Sequence, residues 1–338
     1  MLLVSLYFLF VPVFAHVPTF GGEGKDLNTA VPVENPEISR VLYGQLNASE
    51  SRYYTFEINE GERIVLGLTI PVEEGDQGFV PDLILIGPGL ENEGKNPENM
   101  EIPQGYGARV FEGKLPESAT YEGFTPSNFY SVVDQDLKAP ETGKYYVVVN
   151  SLEKEGNYGI VIGYGESFSL AEWLSIPLNQ IKIYQWQGQS LPFIFAPLGF
   201  TLLAGSYLMY LKRKTLNFSP GLISGFFAGL FFIGTGLSFI FQMLISLSKT
   251  SFSPGVTITL ILAFISIGLG VVALILSLKG EKKNSNNMVR NNSAGFTKKR
   301  LYFFGLGIVA LFFWAGWFIG PILAFGAALL PWNNKGET

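Results

Sequence analysis

The sequence predicts an all-β antiparallel sandwich of the jelly-roll-like type, followed by an α-helical transmembrane bundle of four helices. Three observations support this: short alternating strand patterns before residue 166, four long uncharged apolar runs after residue 190, and a division of charge between the two regions. Residues 16–190 contain 26 acidic and 11 basic residues, whereas residues 191–338 contain 2 acidic and 12 basic residues. This division is typical of a membrane protein, and it disfavours nucleic-acid binding, which needs a basic face.

Residues 1–15 form an apolar run that ends in Val-Phe-Ala, a pattern that predicts a secretory signal peptide cleaved after Ala15. The run is shorter than the ~20 residues that a spanning helix needs. It has no basic residue at its start, so an uncleaved membrane-associated segment is the alternative. Cleavage would make His16 the first residue of the mature chain and would place the following domain outside the plasma membrane.

Residues 16–165 are predicted to form the extracellular sandwich. In the stretch SRYYTFEI, Tyr54, Phe56 and Ile58 face one side, and after the turn NEG the stretch RIVLGLTI alternates in the same way. The stretches DLILIG, NFYSVV, KYYVVV and NYGIVIGY predict further strands, and about seven or eight short strands in all indicate a sandwich. Residues 90–126 are polar and rich in Gly, Pro and Glu, so we predict a long irregular insertion there.

The order GQL…ESRYYTFEINEGERIVLGLTI, then DLILIGPG, then APETGKYYVVVNS…GNYGIVIG resembles the pre-peptidase C-terminal (PPC) type of β-sandwich over residues 40–165. Such domains are secreted, jelly-roll-like accessory modules, so the resemblance implies a non-catalytic accessory domain. The insertion at 90–126 departs from a compact module of this type. No functional residue is carried over from the family, because a shared fold does not give function.

Residues 166–190 connect the sandwich to the first apolar run. Three aromatic residues of this connector, Trp173, Tyr184 and Trp186, permit two interpretations. Aromatic side chains gather at the interface between membrane and water, and they also pack against the faces of soluble domains. The sequence favours neither interpretation over the other.

The transmembrane domain is predicted over residues 191–332. Its four apolar runs are Leu191–Leu211, Pro220–Leu247, Gly255–Leu278 and Leu301–Trp332. The loops after the first and third runs are basic, with three and seven Lys or Arg residues, whereas the loop after the second run has only Lys249. The positive-inside rule therefore places the basic loops in the cytoplasm and the sandwich outside the plasma membrane.

Two features of the apolar runs leave alternatives open. The tail, residues 333–338, lies outside if all four runs cross the membrane, but a break at Gly320-Pro321 that folds the fourth run back would return it to the inside. Small residues also recur at a spacing of four along two runs, at Gly221, Gly225, Gly229, Gly316, Gly320 and Ala324. Such faces let helices approach closely, either in self-association or within one bundle, and we favour packing within one bundle.

The composition excludes several kinds of reaction chemistry. The chain has no Cys and a single His, His16, so thiol nucleophiles, Ser-His-Asp triads and multi-His metal sites are not expected. The apolar runs hold only Gln242 and a few Ser and Thr residues, which is little polar chemistry for a transporter. No pair of carboxylates is distinguished from the rest, so we predict no catalytic residue and no enzyme.

Two metal sites are conceivable from residue types alone. A mature N-terminal His16 would offer an amine and an imidazole to copper, although Pro18 has no amide proton to lose and so cannot supply a further nitrogen ligand. Calcium needs oxygen ligands, and the acidic stretch PVEEGDQGFVPD supplies Glu73, Glu74, Asp76 and Asp82. The alternatives are a solvated N-terminal His and solvated acidic loops, and we expect no resident cofactor.

These observations predict a membrane-anchored cell-surface protein whose sandwich binds or positions a partner: a protein, a glycan or a subunit of a membrane complex. The stretch Asn47-Ala48-Ser49 is a glycosylation sequon, which agrees with an outer location. An alternative function is copper handling or an enzyme-accessory role that uses His16, and a third is a transporter component. The lipid bilayer is the partner that all three functions share.

Overall fold

The computed structural model describes residues 16–22, 24–95, 97, 100–216, 218–279 and 293–332, so the predicted signal peptide and tail lie outside the described residues. The contacts divide the chain into two compact units. The sandwich unit comprises Met1–Trp173, Lys182–Gly188 and Ser246–Pro254, and the helical unit comprises Leu174–Ile181, Gln189–Ile245 and Gly255–Thr338. Two segments that are distant in sequence from most strands, 182–188 and 246–254, therefore belong to the sandwich unit.

The strands of the described residues form two sheets. They are β1 (Val17–Phe20), β2 (Val31–Pro32), β3 (Arg40–Leu46), β4 (Glu50–Ile58), β5 (Arg63–Ile70), β6 (Asp82–Pro88), β7 (Tyr106–Phe111), β8 (Thr120–Glu122), β9 (Ser127–Lys138), β10 (Gly143–Ser151) and β11 (Gly156–Ile162). The first sheet has the order β1-β3-β11-β5-β9-β8, and the second has the order β2-β4-β10-β6-β7. The presence of two sheets confirms that the N-terminal part is built from β-strands.

The sandwich is not purely antiparallel, contrary to the prediction. The pairs β1–β3 and β2–β4 are parallel, and both lie at a sheet edge. A parallel pair needs a connection of about a dozen residues or more between its strands. The chain supplies such connections here, because it places β2 in the second sheet between β1 and β3, and β3 in the first sheet between β2 and β4.

The main core lies between the sheets. Alternation along β4 and β5 turns Tyr54, Phe56, Leu66 and Leu68 inward, where they join buried side chains of the other strands. Burial of an aliphatic or aromatic side chain of this size contributes about 1.5–3 kcal/mol each. The hydroxyls of Tyr54 and Tyr158 share a hydrogen bond of 2.7 Å inside this core, so both polar groups are satisfied.

The segment predicted as an irregular insertion has no strand or helix over most of its described residues, but it contains β7 and β8. Strand β7 extends the second sheet beyond β6. Met100 and Ile102, which precede β7, pack on the outer face of this sheet against a cluster that includes Ile84, Ile86 and Val148. Strand β6 is therefore buried on both faces, which explains why the consecutive residues LILI of the run DLILIG are all apolar.

Two helices accompany the strands. The short helix α1 (Val72–Asp76) follows β5, and α2 (Leu170–Trp186) occupies the connector after β11. The helix α2 begins with a capping box, in which the Ser169 hydroxyl accepts from the Glu172 amide while the Glu172 carboxylate accepts from the Ser169 amide. The Arg40 guanidinium lies 3.0 Å from the same carboxylate, which ties the start of α2 to β3.

Six helices follow among the described residues. They are α3 (Leu191–Ile194), α4 (Ala196–Leu211), α5 (Pro220–Leu247), α6 (Gly255–Leu278), α7 (Ser293–Phe312) and α8 (Ile319–Leu329). In this part of the chain, two helices, α5 and α6, are long and apolar enough to cross a membrane, so the prediction of four such helices is wrong. The first apolar run is interrupted at Phe195, which leaves α4 with 16 residues.

The fourth apolar run is a helical hairpin rather than one spanning helix. Between α7 and α8 the backbone reverses through positive φ angles at Trp314 (55°), Gly316 (71°) and Trp317 (56°). The helices then run antiparallel, so that the Arg300 guanidinium near the start of α7 reaches the Leu330 carbonyl beyond the end of α8 at 3.2 Å. The break that the sequence allowed at Gly320-Pro321 is therefore present a few residues earlier.

Hydrogen bonds fix the hairpin along α5, among them a bond of 2.7 Å from the Ser224 hydroxyl to the Leu323 carbonyl. The Gly221 amide donates to the Pro331 carbonyl at 2.9 Å, and the Gly316 amide donates to the Thr235 hydroxyl at 3.0 Å. Gly221 and Thr235 are about 21 Å apart along the helix axis at 1.5 Å per residue, and the 28 residues of α5 extend about 42 Å. The tip of the hairpin therefore lies about halfway along α5.

The two sets of small residues face other helices of the same chain. A Cβ atom built on Gly221, Gly225 or Gly229 would lie 2.6–2.9 Å from Trp332, Phe303 or Leu274, respectively. A Cβ on Gly316 or Gly320 would meet Phe232, and Ala324 is fully buried. These contacts agree with the interpretation of packing within one bundle.

Candidate functional site

The last turn of α2 packs on the outer face of the first sheet. The Trp186 indole donates to the Tyr158 carbonyl at 3.1 Å, and its ring meets the Tyr43 ring edge-on at 5.1 Å. The Asn157 side chain donates to the Trp186 carbonyl at 3.1 Å. For Trp186 the interpretation of packing against the sandwich is therefore correct, and Tyr184 beside it is buried.

The loop between α5 and α6 forms part of the sandwich unit. The Lys249 ammonium lies 2.7 Å from the Glu73 carboxylate, and Thr250 forms an isolated parallel bridge with Ala119, next to β8. The Asn128 side chain donates to the Ser246 carbonyl at 3.3 Å. A segment enclosed in sequence by two apolar helices is thus attached to the sandwich by an ion pair, a strand bridge and a side-chain hydrogen bond.

A concave site of about 430 Å³ opens on the sandwich unit. It is lined by Ala48, Glu74, Gln77, Phe79, Glu153, Lys154 and Glu155. The Lys154 ammonium donates to the Gln77 carbonyl, and Glu74 accepts from the backbone amide and the side chain of Asn157. Burial raises the pKa of Glu74 despite these hydrogen bonds. The site has the size of a small-ligand pocket and an acidic lining, which favours cationic groups.

Glu122 is a carboxylate of the sandwich unit with a strongly altered environment. It ends β8, and its carboxylate accepts from the Phe124 amide at 2.9 Å. Burial raises the pKa of Glu122 to about 7, the nearby Glu166 carboxylate acts in the same direction, and the Phe124 and Gly123 amides oppose both. Burial raises the pKa of the Tyr43 phenol, and the charge of Glu122 adds to this effect. In the sequence nothing distinguishes Glu122 from the other carboxylates, because its burial arises from the fold.

The four carboxylates predicted for calcium are not brought to one point. Glu73 contacts Lys249, Glu74 contacts Asn157, and Asp76 accepts from the Tyr130 hydroxyl at 3.0 Å. Asp82 accepts from the Gly113 amide at 2.9 Å. Across the described ranges, no group of three or more His, Cys, Asp or Glu side chains is arranged to hold a metal ion.

His16 is half-buried rather than solvated. Its Nδ1 atom lies 2.5 Å from the Ser39 hydroxyl, and burial lowers the pKa of the imidazole, which favours the neutral ring. A neutral imidazole is the form that binds a metal, but Ser39 already occupies one ring nitrogen. Copper binding at His16 stays a prediction.

Asn47 lies in the exposed turn between β3 and β4. The Ser49 hydroxyl of the same sequon donates to the Leu152 carbonyl at 3.0 Å, and Ser49 has a positive φ of 63°. The turn is therefore well defined and open to solvent at the acceptor Asn. Glycosylation itself stays a prediction.

No family model and no curated protein matches the chain. Solved structures that match include the periplasmic inhibitor of g-type lysozyme, PliG, from Salmonella Typhimurium (16% identity, TM-score 0.22, 40% of this chain and 96% of that one). A pre-peptidase C-terminal domain of collagenase from Bacillus anthracis matches at 13% identity and TM-score 0.20, over 44% and 95% of the two chains.

The surface-associated copper-binding protein CorA from Methylomicrobium album BG8 matches at 11% identity and TM-score 0.21, over 44% and 100% of the two chains. A PPC domain is thus among the structures similar to this chain, as the sequence resemblance led us to expect. All three TM-scores are below 0.5, so these similarities show neither a family nor a function for this chain.

Proposed function

We propose that this chain is a membrane-anchored surface protein whose β-sandwich lies on the outer side and binds or positions a partner there. The partner is a protein, a glycan or a subunit of a membrane complex. The sandwich is a binding module in this proposal rather than an enzyme, and the helices serve as its anchor.

The observation that carries the proposal is the position of residues 246–254. This loop joins the two helices that are long and apolar enough to cross a membrane, and it packs within the sandwich unit through Lys249 and Thr250. The sandwich and this loop must therefore lie on the same side of a bilayer that contains α5 and α6. Loop charge supports the outer side, because this loop has one basic residue whereas the loops after α4 and α6 are strongly basic.

The proposal includes crossings by α5 and α6, a third crossing that is shared between the two consecutive helices α3 and α4, and one re-entrant hairpin. The helices α3 and α4 together extend over 191–211, about 30 Å at 1.5 Å per residue, which matches the thickness of the hydrocarbon core. The helices α5 and α6 cross next. The hairpin of α7 and α8 then enters from the inner side and returns to it, so Pro331 lies on the same side as Lys298.

The cavity beside Lys154 is where we expect the partner to bind. Its acidic lining favours a partner that presents ammonium or guanidinium groups. The variant Glu153→Gln/Glu155→Gln removes two exposed charges from the rim and leaves Glu74 in place. Recovery of a membrane partner in mild detergent should fall with this variant and not with the matched variant Glu57→Gln/Glu60→Gln at the opposite end of β4. Equal recovery with both variants would exclude the cavity as the binding surface.

The absence of Cys makes the orientation directly testable. Single-Cys variants Glu60→Cys, Ser251→Cys, Lys214→Cys and Pro331→Cys would be exposed to a membrane-impermeant maleimide on intact cells and again after permeabilisation. Glu60→Cys and Ser251→Cys should react in intact cells, and Lys214→Cys and Pro331→Cys only after permeabilisation. Labelling of Lys214→Cys but not Glu60→Cys in intact cells would overturn the proposed orientation. Labelling of Pro331→Cys from outside would overturn the re-entrant hairpin.

A further inference from the structure

One end of the helical unit carries a concentration of basic side chains. Lys212, Arg213 and Lys214 follow α4 and are exposed, and Lys279 follows α6 and is exposed. The start of α7 adds Lys298, Lys299 and Arg300. We call these seven residues the basic rim.

Hydrogen bonds bring the parts of the basic rim to the same level. The Lys299 ammonium donates to the Lys279 carbonyl at 3.5 Å, which joins the start of α7 to the end of α6. The Gly221 amide donates to the Pro331 carbonyl at 2.9 Å, which places the start of α5 beside the returning end of the hairpin. Only a few residues separate Lys214 from the start of α5, so the tract after α4 lies at this end as well.

The basic rim differs from the sandwich unit in the acidic residues that its sequence supplies. In the sandwich unit, Arg40, Arg52, Arg63 and Arg109 each contact a carboxylate. From residue 191 to residue 332 the sequence contains a single acidic residue, Glu281, which lies outside the described residues, whereas the same stretch adds three further basic residues there. In this stretch of the sequence, basic residues therefore far outnumber acidic residues.

The rim also contains aromatic rings and a helix end. The Lys299 ammonium lies 3.5 Å from the centre of the Trp332 ring, and the Arg213 guanidinium lies 3.9 Å from the centre of the Tyr210 ring. The Arg300 guanidinium contacts the carbonyls that follow α8, where the helix dipole is negative. Basic side chains interleaved with Trp and Tyr at the end of apolar helices are characteristic of the headgroup layer of a bilayer.

We propose that the basic rim binds the phosphate headgroups of anionic phospholipids in the inner leaflet. This inference rests on the proposed membrane anchoring and goes beyond it by naming a lipid class. Guanidinium and ammonium groups donate charge-assisted hydrogen bonds to phosphate oxygens. A bilayer presents such phosphates in a plane at the end of the spanning helices, and each juxtamembrane Lys or Arg strengthens the attraction.

The test uses the full-length protein in a neutral detergent with an equimolar mixture of phosphatidylglycerol and phosphatidylcholine. Native mass spectrometry counts the lipids of each kind that remain bound. We expect phosphatidylglycerol to be retained in preference to phosphatidylcholine by roughly tenfold or more, as several basic contacts acting together imply, and added NaCl to reduce this preference. Equal retention of the two lipids would overturn the proposal.

The decisive variant is Lys212→Gln/Arg213→Gln/Lys214→Gln, which removes three exposed charges from the rim. Its matched control, Lys25→Gln/Lys114→Gln/Lys138→Gln, removes three exposed charges from the sandwich. The preference for phosphatidylglycerol should fall several-fold in the rim variant and stay unchanged in the control. An equal loss in both variants would show a non-specific effect of net charge and would overturn the proposal.

The maleimide experiment separates this inference from the proposed function. If Glu60→Cys is labelled from outside and the lipid preference is absent, the anchoring proposal stands and the lipid proposal fails. If the preference is present and the labelling pattern is reversed, the rim binds anionic lipid but faces the opposite leaflet from the one proposed.

Discussion

The two units satisfy their buried polar groups in different ways. In the sandwich unit the partners are distant in sequence: Tyr54 bonds with Tyr158 at 2.7 Å, and the Thr69 hydroxyl donates to the Gly159 carbonyl at 3.1 Å. In the helical unit several buried hydroxyls donate to the carbonyl one turn earlier, as Ser238 does to Gly234 at 2.9 Å. A bond of the second kind satisfies a hydroxyl without specifying which helices are neighbours.

Other polar contacts in the helical unit join separate segments. The Ser224 hydroxyl donates to the Leu323 carbonyl between α5 and α8 at 2.7 Å, and two more such contacts lie where helices are interrupted or end. The Gly316 amide at the hairpin tip donates to Thr235, and the Gln189 and Gln242 side chains exchange two hydrogen bonds of 2.9 Å and 2.8 Å. Because apolar surfaces in lipid have little hydrophobic drive to associate, close packing and such bonds decide the arrangement. Polar contacts between distant segments therefore determine which strands are neighbours in the sandwich unit, whereas in the helical unit a small number of such contacts determines which helices are neighbours.

The largest effect should come from Gly316→Ala at the hairpin tip. The new Cβ would lie 2.6 Å from Phe232 at a backbone φ of 71°, so overpacking and backbone strain together should lower stability by about 2–4 kcal/mol. Thermal unfolding of the full chain in detergent measures this. Gly268→Ala is the matched control, because its Cβ meets nothing within 4 Å and a helix gains about 0.5–1 kcal/mol from the change. A Gly316→Ala protein as stable as this control would contradict the hairpin packing.

Next comes the pH dependence of the sandwich at Glu122. Because its pKa is raised from 4.5 to about 7 in the folded state, the unfolded chain loses this proton first, and stability falls as pH rises between these values by up to about 3 kcal/mol. Glu122→Gln should remove that part of the slope and be more stable than the wild type at pH 8. Hydrogen exchange of the strands between pH 5 and pH 8 measures it, with Glu60→Gln as the control. Parallel slopes for wild type and Glu122→Gln would contradict the assignment.

A smaller loss is expected for Tyr158→Phe in the sandwich core. The change leaves the Tyr54 hydroxyl buried without its partner, which should cost about 1–3 kcal/mol. The double variant Tyr54→Phe/Tyr158→Phe removes both polar groups and should recover part of the loss. Hydrogen exchange of β4 and β11 in the full chain reports the change. A double variant that is destabilised by the sum of the two single changes would show that the hydroxyls are not coupled.

The smallest expected effects on stability come from removing two hydroxyl groups of α5, one at a time. Thr235→Val removes the acceptor for the Gly316 amide and should lower thermal stability by about 1–2 kcal/mol, whereas Ser238→Ala removes only a bond to its own helix and should change it by less than about 0.5 kcal/mol. Equal effects of the two substitutions would remove the distinction between specifying and local hydrogen bonds.

The sequence predicts the strands that carry an alternating pattern or an apolar run of their own. It does not predict the strands whose burial depends on contacts with other segments. The alternation around Tyr54 and Leu66 locates β4 and β5, and short apolar runs locate β6, β10 and β11. Strands β1, β2, β7 and β8 are short edge or insertion strands without a clear alternating face. These strands form because the adjacent strand has backbone N–H and C=O groups that need partners. The local pattern of side chains does not show this.

For the helical unit, the sequence predicts which residues are apolar but not where the chain reverses. Apolarity marks residues 301–332 as membrane-compatible, yet a spanning helix and a hairpin have the same composition. The reversal depends on Trp314 and Trp317 at positive φ, which large side chains rarely adopt, and on the acceptor that Thr235 supplies. The attachment of residues 246–254 and the burial of Glu122 also arise from contacts between distant segments, so residue type alone gave no sign of them.

The hydrogen bond between Thr235 and Gly316 joins residues 81 positions apart, and the residue that receives the hairpin comes first in the chain. If the helices are anchored as proposed, a ribosome that works from the N-terminus delivers α5 to the membrane before it synthesises the aromatic turn. The backbone amides of this turn would be poorly tolerated in lipid without a partner. Because α5 is already present, the Gly316 amide can bond to Thr235 as soon as the turn is synthesised. In the proposed anchoring, this order of synthesis means that the turn does not wait in the bilayer without its partner.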